Sequence, residues 1–222
     1  MPIFKKANIL FIHIPKTGGT SIEKQLYQGE NTEDQYSVDS YFSTDINSQK
    51  LRNYSLQHYT FRDFVTLLGE EPISQFTKVF CVVRNPYDRI VSEFHYYYQA
   101  VIKQPLDCYT VDELQDKFLR FCEKCFTGKL YNDNHHAPQY QFILNNKAEI
   151  DTRIQILRFE SLSADFSKLF GKPLDYHELR SNRKLSCREY YNTASQKLVA
   201  DFYKSDFILF FYDQNILPDD FN

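Results

Sequence analysis

An apolar run that stops at a proline-led loop constrains the fold of this chain more than any other feature. Residues 8–14, NILFIHI, are apolar and rich in β-branched side chains, which is typical of a short buried strand. The run ends at Pro15, and residues 20–27 beyond the loop have apolar side chains at helical spacing. The sequence therefore predicts a strand, a loop that ends in the glycine pair Gly18 and Gly19, and a helix.

Strand and helix patterns alternate along the rest of the 222 residues. Further strands are predicted over residues 54–59, 78–83 and 152–157. Helices are predicted where a capping residue or a proline precedes a periodic pattern, over residues 61–68, 86–102, 110–126 and 162–170, with a last helix capped by Thr193 and Gln196. This alternation favours an α/β fold in one domain over residues 1–222, P-loop-like and three-layered, with a central parallel sheet flanked by helices.

The charge balance excludes one class of function. A net charge of −3 argues against a surface that binds nucleic acid through overall basicity, so any anion site must be local. No apolar run approaches the ~20 residues of a membrane span, and the N-terminus lacks the small-residue cleavage site of a signal peptide. A cytoplasmic protein is expected, with a trimmed lumenal domain of a membrane-anchored, Golgi-type enzyme as the alternative.

The five cysteines are an odd number without the spacing of a disulfide scaffold. Reduced thiols in a reducing compartment are the simpler interpretation. Cys122 and Cys125 form the one C-x-x-C pair, and no second pair accompanies it. No metal site is therefore predicted.

The first loop has the composition of an anion site. In open parallel sheets, ligands bind beyond the carboxyl ends of strands, where helix N-termini present unpaired N–H groups. Glycines let a ligand approach the backbone, hydroxyls donate hydrogen bonds and lysine supplies a positive charge. The candidate residues are Lys16, Thr17, Gly18, Gly19, Thr20 and Ser21. Lys16 precedes the glycines, which is the reverse of a Walker A loop. The alternative is an ordinary strand-to-helix corner.

A second anion motif, RNPYDRIVS, follows the strand predicted at 78–83. Arg84 ends that strand and Ser92 lies in the next helix, so both can reach the same edge of the sheet. An arginine fork with a hydroxyl suits a second phosphate. The alternatives are an ion-pairing role for Arg84 and a helix-surface hydroxyl for Ser92.

Together, PKTGGTS and RNPYDRIVS resemble the 5′-phosphosulfate loop and the 3′-phosphate motif of sulfotransferases that use 3′-phosphoadenosine 5′-phosphosulfate, PAPS. The sequences of the two motifs are most similar to those of the carbohydrate branch, which includes heparan sulfate 2-O- and 6-O-sulfotransferases. The resemblance implies that residues 16–21 hold the phosphosulfate and that Arg84 and Ser92 hold the 3′-phosphate. Arg183 is a further candidate, since the family often brings a basic loop to the nucleotide there. The resemblance also implies a carbohydrate hydroxyl as acceptor, 3′,5′-ADP as product and no metal.

Sulfonate transfer needs a base for the acceptor proton and a cation opposite the leaving phosphate. Lys16 fits the second role. Of the six histidines, His58 is expected at the end of the second strand and just before a helix, and QHYTF resembles the segment that carries the base in the 6-O branch. His13 is expected to be structural, and His95 either lines the cleft or packs in the core. His135 and His136 are candidates for acceptor contacts, and Glu23 and Glu160 are weaker alternatives to the base.

Two other functions compete with sulfonate transfer. A P-loop-type kinase would need carboxylates that hold Mg²⁺, yet the strand KVFCVV is followed by Arg84 and not by an aspartate. A nucleotide-binding module without catalysis is the other alternative. Residues 28–50 and 101–133 carry no motif that we can place, and these two stretches are candidates for acceptor recognition. Neither the acceptor nor the oligomeric state is predicted.

Overall fold

The computed structural model describes residues 3–4, 7–27, 56–130, 133–175 and 185–218. They form two compact units, one within Met1–Val83 and Asp133–Glu178 and the other within Arg84–Asn132 and Leu179–Asn222. The predicted excursion at 28–50, the first two residues of the predicted strand at 54–59, and Arg183 lie outside the described residues. The single domain over 1–222 stays a prediction.

The first unit contains a four-stranded sheet in the order β1, β2, β3, β4. The strands are β1 (Ile3–Phe4), β2 (Ile9–Ile12), β3 (Lys78–Val83) and β4 (Ile154–Arg158). The last three are parallel to one another, and the short β1 pairs antiparallel with β2. This mixed α/β arrangement with a mostly parallel sheet confirms the predicted fold class at that level.

The two middle strands are buried on both faces. Every residue of β2 is buried, as is every residue of β3 except the first, which explains why both are continuous apolar runs. On one face, the rings of Phe11 and Phe80 stack with their centroids 4.8 Å apart. This face packs against the helices α1 (Gly19–Tyr27) and α6 (Leu162–Phe170) through Ile22 and Phe166. The sheet therefore holds β2 and the start of α1 in a fixed relation.

The predicted strand at 54–59 is wrong in its described part, because Leu56–His58 is a 3₁₀ turn. Neighbouring side chains of a strand point to opposite faces of the sheet. Here the side chain of Gln57 lies 3.1 Å from Nδ1 of His13, and the His58 ring meets the edge of the same His13 ring at a centroid distance of 5.5 Å. A tight turn allows both contacts, so tertiary partners override the strand pattern.

The helix starts of the first unit agree with the sequence. Thr60 begins α2 (Phe61–Leu68) with a capping box that involves Asp63, and Gly69 ends it with φ of 86°. A short helix, α3 (Glu70–Ser74), follows directly. Gly171 ends α6 in the left-handed conformation. The predicted helices at 61–68 and 162–170 are confirmed with the same bounds, because a cap depends on only four or five consecutive residues.

The second unit is helical and has an aromatic core. It contains α4 (Pro86–Tyr96), which continues as a π-helical turn at Tyr97–Val101, and α5 (Val111–Phe126), α7 (Thr193–Phe202) and α8 (Lys204–Leu209). The core residues include Tyr87, Phe94, Phe118, Phe121, Tyr190, Tyr191, Tyr203 and Phe207. Among the described residues, no helix is both long enough and apolar enough to cross a membrane.

The cap predicted for the last helix is wrong by one residue. The N-cap of α7 is Asn192, whose Oδ1 accepts from the Ser195 backbone N–H at 2.9 Å, while the Ser195 hydroxyl accepts from the Asn192 N–H at 3.0 Å. Asparagine is at least as good an N-cap as threonine, so the helix begins one residue earlier than the Thr193 pattern predicts. It is also not the last helix, since α8 follows.

Candidate active site

The first candidate site is the loop that joins β2 to α1. Lys16 has φ of 67° and Gly18 has φ of 89°, so the loop turns through two left-handed positions. A left-handed lysine is uncommon, and such strain concentrates at ligand sites. The Thr17 side chain is fully buried and its hydroxyl donates to the Ile14 carbonyl at 2.8 Å. The Thr17 hydroxyl is therefore engaged within the loop.

The head of α1 lies directly after this loop. The first N–H groups of a helix have no acceptor within the helix, and they carry the positive end of its dipole. Thr20 is exposed there, and Ser21 is buried with its N–H bonded to the Gly18 carbonyl at 3.2 Å. The loop and the helix start therefore present positive potential at the carboxyl end of β2, where a phosphate or sulfonate group is favoured.

The side chain of His13 packs against this loop at Gly19. Its imidazole occupies the position that a Cβ atom on Gly19 would take, so glycine is required there for packing. The Nδ1 atom of His13 lies 2.5 Å from Oε1 of Glu23 on α1, and Gln57 donates to the same carboxylate oxygen at 3.2 Å. His13 is 6% exposed. These contacts support the structural role expected for His13.

Glu23 is ionised in this arrangement. Burial alone would raise its pKa, but the charge and hydrogen bond of His13, with a hydrogen bond from Gln57, hold the pKa of Glu23 below its usual value. Because an ionised carboxylate only accepts, Nδ1 of His13 must donate the proton. Glu23 is thus committed to His13, which weakens it as a candidate base.

His58 contacts the His13 ring and is held by hydrogen bonds with Asp133 and Asn134, which are distant in sequence. Its Nδ1 lies 2.9 Å from the backbone carbonyl oxygen of Asp133 and 2.9 Å from Oδ2 of the same residue. The side-chain amide of Asn134 donates to the His58 carbonyl at 3.0 Å. The His135 ring meets the His58 ring edge-on, with centroids 4.7 Å apart. The structure therefore brings His13, His58 and His135 together.

The protonation of His58 follows from its burial. Burial lowers the pKa of His58 to about 4, His135 and His13 act in the same direction, and the hydrogen bond and charge of Asp133 act against it. At neutral pH the imidazole is uncharged, so one ring nitrogen has a lone pair. The residue is in the form that a general base requires.

One group of side chains in the described residues has the composition of a metal site. Donor atoms of His58, Asp133 and His135 all lie within 4.8 Å of one another. Two imidazoles and a carboxylate are ligands that Zn²⁺ accepts. The hydrogen bond between His58 and Asp133 explains their proximity without an ion. The sequence predicts no metal here, and it does not reveal this group.

The second motif begins the other unit. Arg84 directly follows β3, and its guanidinium forms an ion pair with Asp88 one helical turn later, with NH2 2.6 Å and Nε 2.7 Å from Oδ2. The Asp88 side chain is 2% exposed and that of Arg84 is 11% exposed. Ser92 is half-buried on α4. The ion-pairing alternative for Arg84 is therefore realised, and a phosphate role has to coexist with it.

The other histidine and glutamate candidates separate by their surroundings. Nε2 of His95 lies 2.7 Å from the Tyr190 hydroxyl and both residues are buried, which fits the expected packing role. His136 is buried and Glu160 is half-buried. The sequence interpretation missed Asp133, although DNHH at 133–136 places turn-forming residues next to two histidines.

The first unit thus has a loop with a left-handed lysine between a parallel strand and a helix, and the buried His58 contacts the His13 ring that packs against this loop. The profile of the sulfotransferase family matches residues 1–213. The chain belongs to the sulfotransferase family, and its activity is the transfer of a sulfonate group to a hydroxyl-bearing acceptor. Comparison with curated proteins and with solved structures finds no match.

Proposed function

We propose that the protein is a PAPS-dependent O-sulfotransferase with a P-loop-like, three-layer fold that acts on a hydroxyl of a carbohydrate or glycoconjugate. The observation that carries the proposal is the strained Lys16 loop at the head of α1, in a chain of the sulfotransferase family. The carbohydrate acceptor rests on the resemblance of PKTGGTS and RNPYDRIVS to the heparan sulfate branch.

In the proposed reaction, the acceptor oxygen attacks the sulfur of PAPS in line with the bond that breaks. A new oxygen–sulfur bond forms, and the electron pair of the old bond passes to the 5′-phosphate of 3′,5′-ADP. The acceptor proton passes to Nε2 of His58, which acts as general base. Lys16 stabilises the negative charge that grows on the leaving phosphate. Each atom and charge is thereby accounted for without a metal.

The donor is held by both motifs in this proposal. The 5′-phosphosulfate is bound by the side chain of Lys16, by backbone N–H groups of Thr17, Gly18 and Gly19, and by the hydroxyls of Thr20 and Ser21. The 3′-phosphate is bound by Arg84, Ser92 and Arg183. Several charge-assisted hydrogen bonds to one dianion favour tight nucleotide binding.

Nucleotide preference tests the proposal. A ligand that binds the folded state raises the unfolding temperature by mass action, by an amount that grows with concentration over Kd. We expect 3′,5′-ADP to raise the unfolding temperature strongly, and ATP with Mg²⁺ to raise it much less. A larger shift with ATP and Mg²⁺ would favour the kinase alternative. Labelled PAPS then screens glycan acceptors for transfer, and nucleotide binding without transfer to any hydroxyl would favour a non-catalytic module.

A further inference from the structure

We propose that Asp133 is a positioning residue that holds His58 in one tautomer and stabilises the imidazolium formed when His58 takes the acceptor proton. The inference rests on the proposed function, in which His58 is the base. Asp133 touches neither PAPS nor the acceptor in this scheme and acts only through the His58 ring.

The tautomer follows from the two acceptors at Nδ1. The Asp133 carbonyl oxygen and its Oδ2 both lie 2.9 Å from Nδ1 of His58. A carbonyl and an ionised carboxylate accept hydrogen bonds and donate none, so Nδ1 carries the hydrogen. The lone pair of the neutral ring is then on Nε2, the nitrogen opposite Asp133. A base needs its lone pair on the nitrogen that faces the acceptor.

The backbone around Asp133 is shaped for this contact. Asp133 has φ of 46° and Asn134 has φ of 68°, so two consecutive residues adopt the left-handed conformation. Asp and Asn are among the side chains that tolerate it best, and non-glycine residues in this region often mark functional segments. The segment also holds the His58 backbone, because Asn134 donates to the His58 carbonyl at 3.0 Å. The ring and the main chain of His58 are thus fixed from one side.

The charge of Asp133 opposes the other influences on His58. Among the described residues, the titratable groups that face the ring include Asp133, His135 and His13, with Glu23 behind His13. Burial and the two histidines lower the pKa of His58, whereas Asp133 raises it. The Asp133 side chain is 29% exposed and that of His58 is 8% exposed, so the carboxylate keeps partial contact with water while the ring does not. Without this carboxylate, the imidazolium would lose the counter-charge that contacts its Nδ1.

A metal held by His58, Asp133 and His135 is the competing interpretation of the same atoms. The distance of 2.9 Å between Nδ1 and Oδ2 is that of an ordinary charge-assisted hydrogen bond. This distance therefore needs no ion. The positioning role also accounts for the contact of Nδ1 with the Asp133 carbonyl and for the hydrogen bond from Asn134 to the His58 carbonyl.

The decisive variant is Asp133→Asn in the full chain. The amide oxygen and the backbone carbonyl can still accept from Nδ1, so the geometry persists while the charge is lost. Since a general base contributes roughly 10²–10⁴-fold to a rate, we expect kcat to fall about ten- to a hundredfold. KM for PAPS and the affinity for 3′,5′-ADP stay unchanged. The matched control is Asp175→Asn, which removes the charge of an exposed carboxylate in the same unit and leaves kcat unchanged.

Two further readouts distinguish a positioning role from a structural one. In ¹⁵N-histidine-labelled protein, His58 shows the Nδ1–H tautomer in the wild type. The double variant His58→Ala with Asp133→Asn is no slower than His58→Ala alone, because Asp133 acts only through His58. An unchanged kcat in Asp133→Asn, an Nε2–H tautomer in the wild type, or a further loss in the double variant would overturn the proposal.

Zn²⁺ is the probe for the competing interpretation. Stoichiometric Zn²⁺ binding to the wild type that is lost in both Asp133→Asn and His135→Ala would also overturn the proposal, in favour of a metal site. The tautomer measurement needs no turnover. A protein that shows the Nδ1–H tautomer but transfers no sulfonate would therefore refute the proposed function and leave the hydrogen-bond assignment intact.

Discussion

The imidazole of His13 lies where a Cβ atom on Gly19 would have to lie, so the residue that directly follows β2 and the first residue of α1 are fitted to each other. Gly19 is not required for a left-handed backbone, because its φ is not among the positive values of the chain. Its small size is what matters. The loop that contains Lys16 is therefore fixed between a strand and a helix that are packed together through this contact.

Gly19→Ala is expected to lower the free energy of unfolding by roughly 1–3 kcal/mol, the usual cost of overpacking a buried contact. The reason is the overlap with the His13 ring, so the penalty should shrink when His13→Ala removes that ring. A double-mutant cycle measured by urea unfolding gives this coupling. Gly128→Ala is the comparison for backbone strain alone, because a Cβ there meets no atom within 4 Å but its φ of 69° is left-handed. Its penalty should not depend on the His13 ring. If the penalty of Gly19→Ala were also the same with and without that ring, the steric explanation would be refuted.

His58→Ala is expected to abolish most turnover and to keep the affinity for 3′,5′-ADP. General base catalysis contributes roughly 10²–10⁴-fold, so kcat should fall within that range. Single-turnover assays with labelled PAPS and thermal shifts with 3′,5′-ADP measure the two quantities separately. His95→Ala is the control. It removes another buried imidazole, one that is hydrogen-bonded to Tyr190 in the core of the second unit. A His58 variant with normal turnover would not be compatible with the proposed base.

Arg84→Ala is expected to weaken binding of 3′,5′-ADP at least tenfold, because hydrogen bonds between charged groups contribute roughly 1.5–3 kcal/mol. It also removes the ion pair with the buried Asp88 carboxylate, so the free energy of unfolding should fall. Each variant's thermal shift is compared with its own ligand-free unfolding temperature.

Asp88→Asn separates these two effects of Arg84. It breaks the same ion pair but leaves the guanidinium available for a phosphate. We expect its nucleotide affinity to stay within a few-fold of the wild type. If Asp88→Asn lost as much affinity as Arg84→Ala, Arg84 would act through the ion pair and not through the 3′-phosphate.

The lowered pKa of Asp151 should make the free energy of unfolding depend on pH. Its hydrogen bonds with Arg153, at 2.7 and 2.8 Å, hold the pKa of Asp151 below its usual value of 3.8, although partial burial acts the other way. A depressed folded-state pKa adds stability that is fully present above the unfolded pKa and is lost as the pH falls through the folded one. The free energy of unfolding should therefore fall below about pH 4, in part because this carboxyl group becomes protonated.

Asp151→Asn isolates that contribution. The difference in the free energy of unfolding between wild type and Asp151→Asn should be constant from neutral pH down to about pH 5 and should shrink below pH 4. Urea unfolding between pH 6 and pH 3 measures it. Glu149→Gln removes an exposed carboxylate nearby and should show no such trend. A difference that grows on acidification would contradict the sign of the shift.

Local signals made much of the fold predictable. The capping residues Thr60, Asn85 and Thr110 each predict a helix start, and all three helices begin there. The KVFCVV strand is confirmed at Lys78–Val83 without change. Such features depend on hydrogen bonds within about one helical turn or on a continuous apolar run, so neighbouring residues contain the whole cause.

The sequence by itself determined that a parallel strand leads through a lysine and two glycines into a helix, because periodicity and glycine conformations are local properties. Only the tertiary structure decided that residues 56–58 form a turn and that Asp133 pairs with His58 from 75 positions away. It also decided that Gln57 bonds Glu23 across 34 positions. Such contacts depend on which chain segments pack together, and their energies outweigh the weak local preference for a strand.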